Sequence, residues 1–126
     1  MIDIDRQMTY WRDSALEDWE VAQELVNSGR TRHGLFFAHL ALEKTLKAHV
    51  CQQTQDLPPK IHSVLLLAQK ATLPLAGTQK AFLGRFDRYQ LEGRYPDISP
   101  AKPGMAKAKQ EMALAEDFLQ WLHKQF

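Results

Sequence analysis

Residues 36–50 read FFAHLALEKTLKAHV. Leu35, Ala38, Leu42, Leu46 and Val50 recur at steps of three and four and make one row along a helix. Phe36, Phe37, Leu40, Ala41 and Ala48 spread apolar surface round most of the remaining circumference. A helix that is apolar on so many sides must have neighbours on several sides, so this segment, expected from about Thr31 or His33 to Gln53, belongs at the centre of a helical bundle. Glu43, Lys44 and Lys47 nevertheless sit in its middle, where charges need an ionic partner, a route to water or a ligand.

The flanking segments fit the same architecture. From about Asp5 to Asn27, Trp11, Ala15, Trp19, Ala22 and Val26 lay one apolar stripe along a first helix, with Gly29 as its stop. The SGRTRHG connection is short enough to make the first two helices antiparallel neighbours. Pro58 and Pro59 break the chain after the central helix. A third helix is expected from about Ile61, and a fourth from near Thr78 with Phe82, Phe86 and Tyr89 on one face. EGRYPDISPAKPG, rich in proline and glycine, reads as a long irregular loop of the kind that often carries function. A last helix opens at Pro103 with Met105, Ala108, Met112, Ala115, Leu119 and Leu122 at three-four spacing. Three long and two shorter helices imply an all-α, up-and-down four-helix bundle with an additional short helix, formed by residues 1–126 as one domain.

Composition narrows the function classes. The chain of 126 residues is 44% apolar and 25% charged, as in an ordinary globular protein, with a net charge of +1 that does not suggest a dedicated DNA binder. A single cysteine, Cys51, excludes an internal disulfide and favours a reducing, cytoplasmic setting. No apolar run reaches the ~18 residues of a membrane span. Charge is unevenly distributed: residues 1–29 carry seven acids against two bases, residues 30–49 four bases against one acid, and residues 85–109 six bases against three acids. Convergence of the two basic segments would draw an anion such as a nucleotide or RNA, whereas pairing with the acidic first helix would consume the charge internally.

AHLALEKTLKAHV resembles the signature helix of the HEPN (higher eukaryotes and prokaryotes nucleotide-binding) family, whose A-x-E-K-x-L-K-A core is matched by Ala41, Glu43, Lys44, Leu46, Lys47 and Ala48. In the same order as in that family stand the acidic ALEDWEVAQELV, the GR-x-x-x-G-x-x-F stretch, the P-x-x-H segment PPKIHSVLLL with His62, and RYPD at Arg94–Asp97. The resemblance implies a HEPN-like bundle, usually a homodimer, that binds a nucleotide and partners a minimal nucleotidyltransferase in a toxin–antitoxin or defence system. With one cysteine and no His-x-x-x-His or Glu-x-x-His pair, the residues give a metal site little support, and no cofactor is expected. Some members are ribonucleases with an Arg, four to six intervening residues and a His late in the chain. Here Arg85, Arg88 and Arg94 have no histidine at that distance, and the pair with the spacing is Arg32 and His39, early in the central helix. That departure leaves a ribonuclease with an atypical active site, or a structural dimerisation module, as alternatives to a binding role.

Glu43 and Lys47 have the acid-first order of a helical ion pair, with His39 one turn earlier. Either this is a solvated stripe, or it lies against the RYPDIS loop or a dimer interface, where Arg94 meets Glu43 and Lys44 and Lys47 are left for phosphate. Arg94 and Tyr95 place a guanidinium fork beside an aromatic plate, suited to phosphate and base respectively. The expected ligand or partner face therefore comprises Glu43, Lys44, Lys47, Arg88, Arg94, Tyr95 and Asp97. His62 is expected to cap or orient the third helix.

Overall fold

The computed structural model describes residues 1–95 and 101–126. Among the described residues six helices follow one another: α1 Ile4–Asn27, α2 Thr31–Thr54, α3 Val64–Lys70, α4 Gly77–Phe86, α5 Arg88–Arg94 and α6 Met105–Lys124. No strand occurs among the described residues, and no helix there is long and apolar enough to cross a membrane.

The antiparallel pair α1–α2 is the largest element of the fold. Asp3 caps α1 by accepting the Arg6 N–H at 3.0 Å, a standard use of a short carboxylate at an orphan donor. Ala15, Ala22 and Val26 are buried as their spacing requires, while Trp11 and Trp19 at the margins of the stripe are half-buried. Gly34 is the point of closest approach. A Cβ there would overlap Val26 Cγ2 and stand 3.0 Å from the Val26 nitrogen and 3.1 Å from the Ala22 oxygen, so only glycine lets the backbones meet.

α2 is the axis of the bundle. Leu35, Ala38, Leu42, Leu46 and Val50 are all buried and face the other helices. Two bonds fix α6 along α2 in the parallel sense: Thr31 Oγ1 donates to the Pro103 carbonyl at 2.6 Å near one end, and His49 Nε2 donates to the Leu122 carbonyl at 2.9 Å near the other. α3, α4 and α5 form the return leg between them, which gives the up-and-down order. Phe82 of α4 packs on Phe118 of α6 at 5.9 Å and on Phe86 at 5.2 Å, and Phe86 meets Tyr89 of α5 edge-on at 4.9 Å.

Three boundaries differ from expectation. α3 begins at Val64 rather than Ile61, because the Ser63 hydroxyl accepts the Leu66 N–H and sets the N-cap there. The fourth segment is interrupted at Asp87, which divides it into α4 and α5, and α5 takes in Glu92–Arg94 from the stretch expected to be irregular. α6 opens at Met105 with Gly104 as its N-cap, one residue after Pro103. Asp97 and most of the RYPDIS loop lie outside the described residues.

Candidate functional site

The charges inside α2 are resolved by a polar ring between α2, the segment before α3, and the α4–α5 junction. Glu43 is 3% exposed, so its carboxylate must find donors within the protein. Its Oε2 accepts from Lys47 Nζ at 3.1 Å and from His62 Nδ1 at 3.2 Å. Lys47 lays its aliphatic stem against the bundle and brings its ammonium over the Trp11 ring of α1, 5.2 Å from the centroid, which adds a cation–π contact to the ion pair.

The other half of the ring centres on Asp87. His39, fully buried one turn before Glu43, donates from Nε2 to Asp87 Oδ1 at 2.9 Å. Asp87 Oδ1 also accepts the Val64 N–H at 2.8 Å, and Oδ2 accepts the Ser63 hydroxyl at 2.8 Å. Burial by itself would raise this carboxyl, but the bonds from His39, the Val64 amide and Ser63 overcome that and hold Asp87 below the ordinary aspartate value. The two halves meet without a bond between His39 Nδ1 and Glu43 Oε1, which face each other at 3.8 Å, beyond hydrogen-bonding distance. In effect one aspartate ties the start of α3 to the middle of α2.

This arrangement corrects the expected meeting of Arg94 with Glu43. Glu43 is occupied by Lys47 and His62. Lys44 turns to α1, where Nζ lies 2.7 Å from Asp18 Oδ2 and donates to Ser14 Oγ at 2.8 Å. Neither lysine is left over for phosphate. His62 orients α3 through Glu43, whereas Ser63 supplies the cap. Arg32 and His39 are not presented together to solvent, because His39 is fully enclosed with its Nε2 on Asp87. Cys51 is buried, and burial pushes its thiol up, as for an inert packing cysteine.

Of the remaining expected residues, Arg88, Arg94 and Tyr95 are exposed on α5 and its C-cap. Arg88 donates from Nε to Glu92 Oε1 at 3.0 Å, with Nη2 2.9 Å from the same oxygen, yet its side chain is 50% exposed. The bond to Glu92 raises the already high arginine value further. Arg85, which the sequence did not single out as a site residue, repeats the device. Its Nη2 donates to Glu111 Oε1 of α6 at 3.1 Å while the side chain is 42% exposed. Glu92 and Glu111 themselves are buried. Arg94 lies over the Phe36 ring at 5.5 Å. Gly93 makes that possible, since a Cβ there would overlap the Phe36 ring. Leu91 and Tyr95 are exposed on the same helix and its cap. The six expected residues that are described thus separate: Glu43, Lys44 and Lys47 are spent inside the bundle, and Arg88, Arg94 and Tyr95 are exposed, as is Arg85.

A guanidinium has five N–H groups, and Arg85 and Arg88 each spend only one or two on their glutamates. The glutamates reduce the net charge of the row but fix the planar forks, leaving the outward donors set for oxyanions. The geometry suits phosphate contact, with Tyr95 beside it as a stacking surface.

Comparison with known proteins matches residues 8–125 to the model of the HEPN domain family. The fold is similar to that of TT1696 from Thermus thermophilus, a crystal structure superposing with a TM-score of 0.79 at 24% identity over 95% of this chain and 98% of that one. No curated protein matches in sequence.

Proposed function

The chain belongs to the HEPN domain family, and on that premise we propose that it is a nucleotide-binding module whose ligand face is the outer side of α4 and α5. Arg85, Arg88 and Arg94 contact phosphate, Tyr95 stacks on a base, and the domain acts beside a nucleotidyltransferase partner. The observation that carries this reading is the pair of half-exposed arginines anchored on buried glutamates, Arg85 on Glu111 and Arg88 on Glu92. An arginine held in this way has lost part of its rotamer freedom before ligand arrives, so less entropy is lost on binding.

The test is fluorescence anisotropy with a labelled short single-stranded RNA and a fluorescent ATP analogue. Three phosphate contacts on a single strand give a log–log salt slope of about −2. Replacing Arg88 and Arg94 together by Ala should weaken binding at least about tenfold and flatten the slope to about −0.7. Lys47→Met should leave affinity unchanged. Unaltered affinity and slope in the double arginine variant would reject this face.

A further inference from the structure

α1 and α6 both pack on α2, and along most of their length they are separated from each other by an open groove. Two adjoining cavities of about 200 and 220 Å³ share Trp19 and Glu116 as walls. Their apolar lining includes Leu16, Trp19 and Val26 from α1 and Met112, Ala113 and Leu119 from α6. Leu16 is 59% exposed, which is unusual for a leucine on a wall it shares with a tryptophan. Along α6 the lining runs from Lys109 to His123, fourteen residues on, which at 1.5 Å per residue is about 21 Å.

The edges of the groove are acidic. Asp13, Glu20 and Glu24 follow the outer flank of α1, each three or four residues from a lining position, and Glu116 lies on α6; Lys109 and Lys124 oppose them. Among the described residues none of these four carboxylates takes part in an ion pair. The nearby cation Arg12 is stacked on Phe126, its Cζ 4.2 Å from the ring centroid. An apolar trough about four helical turns long with unneutralised acids on its edges is complementary to one shape and one charge.

We propose that the α1–α6 groove is a docking site for a basic amphipathic helix of a partner protein, with apolar anchors at i, i+3/i+4 and i+7 seated on Leu16, Trp19 and Leu119. The partner's Lys or Arg residues reach the carboxylates of Asp13, Glu20, Glu24 and Glu116. The surface belongs to different helices from the α4–α5 ligand face, and the inference does not rest on nucleotide binding.

The experiment uses the whole chain and a labelled synthetic peptide of about 14 residues, the length that spans the groove, with a leucine seam and lysines elsewhere. A second peptide keeps the leucines and replaces lysine by glutamate, and a third keeps the composition of the first in scrambled order. The basic amphipathic peptide should bind at least about tenfold more tightly than either control. Leu16→Asp should reduce its binding by a similar factor, whereas Leu57→Asp, at an exposed leucine remote from the groove, should not. Circular dichroism of both variants checks that they remain folded. Equal binding of the scrambled peptide, or of Leu16→Asp protein, would overturn the proposal by reducing it to charge adsorption. A dimer in sedimentation velocity that Leu16→Asp dissociates would overturn it in favour of a second copy of this chain.

Discussion

His49 gives this bundle a steep and separable acid dependence. Its ring is buried between α2 and α6, donates Nε2–H to the Leu122 carbonyl and stacks on Phe126 with ring centroids 3.7 Å apart. Burial, which disfavours the imidazolium, together with the nearby Arg12 and His123, lowers its pKa from 6.5 to about 4, against the smaller raising effect of the Leu122 bond. Because the folded value lies below the unfolded one, protons are taken up first by the unfolded chain. Stability is therefore complete above about pH 6.5, falls as pH drops towards 4, and loses nothing more from this residue below that. At about 1.4 kcal/mol for each pH unit the loss is about 3 kcal/mol, a large part of the ~5–15 kcal/mol typical of a domain. Asp87 acts in a lower window, since its folded value lies below its ordinary one: its contribution is present above about pH 3.8 and is lost below it. Urea unfolding followed by helical circular dichroism at several pH values measures the profile, and His49→Gln keeps a donor for the Leu122 carbonyl while removing the titration. The variant should be less stable at neutral pH, yet its stability should change by about 3 kcal/mol less than the parent's between neutral pH and pH 4. Parallel profiles for parent and variant would refute the assignment.

Three substitutions test the packing and the polar ring. Gly34→Ala should cost about 1–3 kcal/mol or more in urea unfolding, because the added carbon meets backbone atoms of α1 that have no room to yield; a neutral result would mean that the helices are not in contact there. Glu43→Ala should cost about 3–5 kcal/mol, since it strands the buried Lys47 ammonium and frees His62. The double variant Glu43→Ala/Lys47→Met should recover much of that loss, and a double-mutant cycle with additive effects would contradict the pair.

The fold was legible because it rests on periodicity. The rows through Leu35–Val50 and Met105–Leu122 repeat every three or four residues, and each residue in them is buried except Met105, which opens α6 and is exposed. Gly29 and the Pro58–Pro59 pair mark ends by backbone chemistry that needs no tertiary information. The site was legible only in part. That Glu43 and Lys47 pair could be read from their spacing, but that they are enclosed depends on Trp11 and His62, which are remote in sequence. Asp87 left no periodic signal: it terminates one helix and caps another twenty-three residues earlier, a relation that only the return leg creates. Arg85 was equally hidden, since its anchor, Glu111, is on a different helix. Charges within α2 looked like ligand contacts because a sequence does not show how many internal partners each will find.

Labour is divided in this bundle: the charges of α2 hold the fold together, and the arginines of α4 and α5 are the proposed ligand contacts. Titration of isotopically labelled protein with ATP, followed by backbone amide and arginine side-chain Nε–H resonances, tests it most directly. Shifts should concentrate at Arg85, Arg88, Arg94 and Tyr95, with the amides of His39, Glu43 and Lys47 unmoved. Perturbation centred on Lys44 and Lys47 while the Arg85 and Arg88 side chains stay still would contradict it.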